Sequence, residues 1–287
     1  MKLQEKAMLA SLNIAVWSAK KYDKKVSKEV ADKHGMSDSS LGRYNKSLVA
    51  KKSLEKINKI ATAARADFHK FSLPWDDNGT RILTSAGFFK LAEAMRKHNN
   101  DFLPAKDEVI ENYPEMVEQA KTDLNGLFNP DDYPAQAEIS NKFRYAWRVR
   151  PLPDAGDFRV KLSDTETALI QQQITADVQE SVKHAMQDIW ARMQDVIQAA
   201  ANKLKAYKVT ADGVENPFRD SLIQNIKDLL EIIPALNLTE DPKVAQFASY
   251  MKQLVKYDAN TLRDNDGTRM QIAKAADDIL TKMQAYV

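Results

Sequence analysis

Apolar side chains recur along the chain with two periods, and the longest run of a single period lies between Ser163 and about Lys208. There Ile170, Ile174, Val178, Val182, Met186, Ile189/Trp190, Met193, Ile197, Ala200 and Leu204 follow one another at about 3.8 residues per step, one face of a helix. Ser163-Asp164-Thr165-Glu166 has the spacing of a capping box, and no Pro or Gly follows before Gly213. The pattern predicts one helix of roughly 45 residues, ~68 Å long at ~1.5 Å per residue. Its step is slower than a strict heptad, so other segments are expected to lie against it.

The same helical period predicts Tyr22–Lys33, ending at His34-Gly35, and Lys51–Phe71, ending before Leu73-Pro74. Thr84 or Ser85 caps a helix through Met95, and an acidic helix runs from Asp107 to Phe128 with an irregularity at Tyr113-Pro114. Beyond the long helix, Val209–Glu215 is a connection. Helices then run from Pro217 to Pro234, from Thr239 through Val255, and from Thr268 to Val287. Period two appears in Ser11–Trp17 and more clearly in Phe143–Arg150, where Phe143, Tyr145, Trp147 and Val149 share one face. Phe158–Leu162 alternates back after Pro151–Gly156, so a hairpin is expected, pairing with Leu12–Val16 into a small three-stranded sheet. The aromatic face is expected to pack on the long helix. Ser37–Tyr44 reads as a linker, and Leu73–Gly79 as a turn rather than a calcium loop, since the alternating acids and distal Glu are missing. The fold class is mainly α (α+β): an N-terminal α+β region over 1–162, then the long helix and a C-terminal helical module over 163–287.

Composition narrows the chemistry more than it identifies it. The chain of 287 residues is 44% hydrophobic and 29% charged, with 8 Gly, 10 Pro and no Cys, which excludes collagen-like and low-complexity classes, disulfides and thiolate sites. No apolar run reaches the ~20 residues of a membrane span, and the first residues lack a signal-peptide core, so a cytoplasmic protein without membrane partners is expected. His34, His69, His98 and His184 have no metal-ligand spacing, and phosphate loops and nucleophile elbows are missing. No catalytic residue, metal or cofactor is therefore assigned. Ala19–Lys70 carries 14 Lys/Arg against 6 Asp/Glu, and Asp101–Ala135 carries 2 against 9. Such segregation marks either a basic face for nucleic acid or two segments that neutralise each other. The candidate nucleic-acid residues are Arg144, Arg148 and Arg150 on one face of the hairpin, with Tyr145 and Trp147 opposite, and the cluster Lys20, Lys21, Lys24, Lys25 and Lys28.

Leu12–Trp17, Gly42-Arg43-Tyr44-Asn45-Lys46, Leu73–Gly79 with Arg81-Ile82-Leu83, Asp132-Tyr133-Pro134 and Pro151-Leu152-Pro153 together resemble a family of uncharacterised bacterial and bacteriophage proteins, classed as a domain of unknown function. The resemblance covers about residues 9 to 200. It implies a phage or mobile-element accessory protein in the bacterial cytoplasm, from gene neighbourhoods that include MoxR-type AAA+ ATPases and von Willebrand A proteins. It transfers no catalytic residue. The expectation is a non-enzymatic assembly protein, either a homo-oligomer or an adaptor to an AAA+ machine. The alternative is a single-stranded DNA- or RNA-binding protein.

Overall fold

The computed structural model describes residues 3–158, 160, 162–284 and 286. The elements run in the order α1 (Leu3–Lys6), β1 (Ala7–Ala15), β2 (Lys20–Tyr22), α2 (Lys24–Lys33), β3 (Asn45–Ser47), α3 (Glu55–Lys70), β4 (Leu73–Pro74), β5 (Arg81–Thr84), α4 (Ser85–Glu111), α5 (Tyr113–Leu124) and β6 (Arg144–Pro151). They continue with α6 (Asp164–Ala206), β7 (Lys208–Thr210), β8 (Gly213–Glu215), α7 (Ser221–Leu236), α8 (Pro242–Met251), α9 (Ala259–Asp264) and α10 (Asp266–Met283). The protein is mainly α with small antiparallel sheets. It falls into two compact units, one of Met1–Ser11, His69–Ala92 and Arg148–Val287, the other of Leu12–Phe68 and Glu93–Trp147.

The long helix of the first unit forms as its pattern predicts. Glu166 N donates to Ser163 Oγ at 3.3 Å and Ser163 N donates to Glu166 Oε2 at 3.4 Å, so the capping box is complete. The helix has 43 residues, about 65 Å at ~1.5 Å per residue. Its second half carries the core: Ile189, Met193, Ile197 and Leu204 are fully buried among Ile226 and Ile233 of α7, Val244 and Met251 of α8, Leu262 of α9 and Ala273 and Ala276 of α10. Helices α6 to α10 share this core, with α9 as a further short helix. Asp241 and Asn265 cap α8 and α10 through Lys243 N and Thr268 N.

Several expectations need correction. The hairpin return does not form: Phe158, Val160 and Leu162 are not in a strand, while Arg159 and Lys161 lie outside the described residues. Instead Asp154 accepts from Gly156 N at 2.8 Å and closes a 3₁₀ turn over Ala155–Asp157, leaving Pro151 and Pro153 without donors for a ladder. The sheet has four strands in the order β4-β5-β1-β6. In the first unit Ala7 to Ala10 lie opposite Thr84 to Arg81, and Leu73 and Pro74 opposite Ile82 and Arg81. The first strand starts at Ala7 rather than near Ser11. Pro217 does not open a helix; α7 begins at Ser221 and runs through Pro234 to Leu236. The connection after α6 is a ribbon of β7 and β8, turning at Gly213 with φ 132°.

The second unit packs Trp17, Leu48, Leu54 and Ile57 against Phe102, Val109, Tyr113, Ile139 and Phe143. Here Pro104 does not end a helix, since α4 continues from Ser85 to Glu111. Phe102 and Ala105, either side of it, are almost fully buried, and that packing offsets the lost amide. The expected break at Tyr113-Pro114 is present, with Pro114 in the first turn of α5. Phe143 is buried and Tyr145 half-buried in this unit, with the Tyr145 ring 5.5 Å from that of Phe102 and its hydroxyl donating to Met95 O at 3.0 Å. The aromatic start of β6 therefore packs on α4, not on the long helix as expected. The linker over Ser37–Tyr44 holds a 3₁₀ turn at Ser39–Leu41 and leads into β3, which pairs with β2.

Candidate binding surfaces

The sequence Lys20-Lys21-Tyr22 has no apolar reason to form a strand. It does so because β3 lies antiparallel to it, Lys20 opposite Ser47, Lys21 opposite Lys46 and Tyr22 opposite Asn45. One buried cation fixes this ribbon. Lys46 Nζ lies 2.8 Å from Asp132 Oδ2 and 3.4 Å from Asp23 Oδ2, and donates to Leu127 O at 2.6 Å. Burial works against the ammonium, but the Asp132 and Asp23 carboxylates outweigh it and hold its pKa above the ordinary lysine value. Asp23 also caps α2, accepting from Val26 N at 3.0 Å, and that amide together with Lys46 holds its carboxyl below the ordinary range. Ser27 Oγ accepts from Tyr44 N at 3.0 Å, and Asp23 N donates to Tyr44 O at 3.0 Å. Strand, turn and helix are thus tied by polar contacts, beside the buried Ala19, Ala31 and Leu48.

This frame sets the cationic side chains. Lys20, Lys21, Lys24, Lys25, Lys28 and Arg43 are all exposed. Lys21 alternates onto the Lys46 face, with Nζ 3.9 Å from Asp132 Oδ1. Lys20, Lys24, Lys25, Lys28 and Arg43 make no ion pair within 4 Å to a described residue. The Tyr22 ring, 42% exposed, shares its face with Lys20, and the Arg43 guanidinium lies 5.7 Å from its centroid, while Tyr44, 40% exposed, stands opposite Asp23. Sequence reasoning found the lysines and missed Tyr22, Arg43 and Tyr44. The signal was a basic–aromatic pair on each side of the ribbon, Lys21-Tyr22 and Arg43-Tyr44, hidden because the second stood in an apparent linker.

The other predicted cluster is less compact. Arg144, Arg148 and Arg150 are exposed on β6 at positions of equal parity, one face of a strand. Without the return strand they form no hairpin platform, and Arg144 belongs to the second unit while Arg148 and Arg150 belong to the first.

The remaining charged clusters are engaged on the backbone. In the first unit Arg81 is buried, donating to Ser72 Oγ and Ser72 O, both at 2.8 Å. Arg192 of α6 donates to Lys70 O at 3.1 Å and Ser72 O at 2.9 Å, and its Nε lies 2.7 Å from Asp188 Oδ2. Burial pushes Arg81 down to about 10, with Arg192 acting in the same direction and Asp188 against it. Arg192 ties α6, and Arg81 ties β5, to the turn before β4. In the second unit His98 Nε2 meets Asp67 Oδ2 at 2.7 Å, joining α4 to α3. Burial, and then Asp67, push Tyr145 up to about 12. Among the described residues no group of three or more His, Asp or Glu is placed to hold a metal ion, and no helix is long and apolar enough to cross a membrane.

A third surface is the first half of α6. From Asp164 to His184 no residue is buried, whereas Ala185, Ile189, Trp190, Met193, Ile197, Ala200, Ala201 and Leu204 all are. Ile170, Ile174, Val178 and Val182 continue the apolar stripe into this half but are only half-buried, and Leu169 on the opposite side is exposed. The 3₁₀ turn at Ala155–Asp157 lies against α6. Compared with protein-family models, curated proteins and solved structures, the chain finds no match in any of the three.

Proposed function

We propose that the chain is a non-enzymatic assembly protein that pairs with a second copy of itself through residues 164–184 of α6. The observation that carries this is the apolar stripe Ile170–Val182, which continues beyond the core that buries the other half of α6 into a stretch, Asp164–His184, with no buried residue. The stripe is about 20 Å of helix and between three and four turns. Ile170, Ile174, Val178 and Val182 stand at equal steps of four, so an antiparallel copy sets Ile170 against Val182 and Ile174 against Val178. The resemblance to the phage and mobile-element family extends the proposal to an accessory role there, with an AAA+ ATPase as the partner of the assembled form.

Light scattering tests the pairing. The expected mass is twice the 32.4 kDa of one chain, held at high salt because the contact is apolar. Ile174→Asp with Val178→Asp should return the mass to that of one chain with unchanged helix content by circular dichroism. A single-chain mass for the native protein at every concentration overturns the proposal.

A further inference from the structure

The ribbon of β2 and β3 with the first turns of α2 carries chemistry that assembly through α6 does not use. From Lys20 to Ser47 eight Lys/Arg stand against four Asp/Glu. Two of the acids have partners of their own: Asp23 is turned inward to Lys46, and the Asp38 side chain accepts from Ser40 N and Oγ. Glu29 and Asp32 are exposed on α2 one turn after Lys25 and Lys28, and make no ion pair within 4 Å to a described residue. Lys20, Lys24, Lys25, Lys28 and Arg43 are exposed, Lys20 shares a ribbon face with the exposed Tyr22, and Arg43 lies over that ring.

We propose that this surface binds single-stranded nucleic acid, with Lys20, Lys24, Lys25, Lys28 and Arg43 taking the phosphates and Tyr22 stacking a base. Three points favour that ligand. An exposed ring flanked by ammonium groups offers a face, and a base splayed out of a single strand offers a face in return, whereas in a duplex the base faces cover one another. Arg43 over Tyr22 extends the platform with a second planar, cationic group. The platform is also preformed, since the Asp23–Tyr44, Ser27–Tyr44 and Lys46 contacts hold strand and helix in register without a ligand, so binding loses little ordering entropy. An acidic peptide would use the lysines and leave the ring idle.

Fluorescence anisotropy of the full chain with a labelled oligo(dT), a labelled duplex of equal length and polyglutamate as competitor tests this. Binding of the single strand should weaken with log salt at a slope of about −3, from four or five phosphates at roughly −0.7 each. Replacing Lys24, Lys25 and Lys28 by Ala should flatten that slope. Tyr22→Ala should weaken binding about five- to hundred-fold at an unchanged slope, the range for one lost stacking contact, and Tyr22→Phe should restore it. These side chains are exposed, so the variants should melt as the native chain does. No binding at about 50 mM salt, equal affinity for the duplex, or competition by polyglutamate with no effect of Tyr22→Ala would each overturn the proposal. The α6 double variant should bind oligo(dT) at its surviving ribbon, so failure of the assembly reading and failure of this one are separable.

Discussion

Replacing Lys46 by Met removes an ammonium that is 5% exposed and sits between two carboxylates whose side chains are 12% and 11% exposed. The Met side chain keeps most of the apolar stem, so the cavity contribution is small and the change isolates the charge. Asp132 then keeps only the distant Lys21, at 3.9 Å, and Asp23 keeps its Val26 amide. Leaving a buried charge without its partner costs about 3–5 kcal/mol. The remaining contacts place Lys46→Met near the lower end, about 3 kcal/mol. Urea unfolding of the variant, with amide exchange in β2, β3 and α2 as a local probe, measures the loss. Asp132→Asn in the Lys46→Met background should recover part of it, because the unpaired charge is then gone. The pH dependence has a defined sign. In the native chain the Asp23 carboxyl is held below 3.8, so its contribution is present above that value and lost as pH falls through the lower folded value. Lys46, raised above 10.5, contributes below that value and is lost as pH rises through its folded value. The variant should lack the alkaline loss. A cost below about 1 kcal/mol, or the same cost with and without Asp132, would refute the view that this ion cluster holds the ribbon.

Ser163→Ala removes the acceptor of the Glu166 amide and should cost about 1 kcal/mol, seen as faster amide exchange over Thr165–Thr167 with little change beyond Ala185. His69 is held below its ordinary 6.5 by loss of solvent around the ring and by Arg81 and Arg192, with Asp188 opposing. The unfolded chain therefore takes the proton more readily, so its share of stability is present above about 6.5 and lost as pH falls. A proton-resonance titration of the His69 ring with a midpoint at or above that value would contradict this.

The long helix could be read from the chain because its start is a local device and its stripe is long. What the stripe could not say is whether anything covers it. Ile170–Val182 and Ile189–Leu204 share one pattern, yet only the second set is buried, since periodicity reports a face and not its partner. The same limit explains the missing return strand: Phe158, Val160 and Leu162 alternate as a strand does, but the Asp154 turn leaves them unpaired. Strand β5 failed in the other direction. Its buried residues Arg81, Ile82 and Leu83 are consecutive, and Arg81 is buried only because Ser72, nine positions earlier, accepts its hydrogen bonds. The ribbon of Lys20–Tyr22 and Asn45–Ser47 was hidden for a related reason, since a lysine reads as solvated until two carboxylates are found beside it.

That last point divides the charge asymmetry of the chain into two physical roles. The basic stretch after Ala19 and the acidic stretch after Asp101 do meet: Lys46 and Lys21 approach Asp132, and Lys56 pairs with Glu108 at 2.6 Å. These contacts neutralise part of each stretch within the second unit, the plain structural use of opposite charges. They do not reach Lys20, Lys24, Lys25, Lys28 or Arg43, which are exposed, with Arg43 over the Tyr22 ring. An exposed cation costs the fold almost nothing and adds almost nothing to it, so folding alone does not account for these five. The paired lysines build the frame; the unpaired ones are positioned by it, and a phosphate chain with accessible bases is the ligand whose charge and faces that arrangement fits.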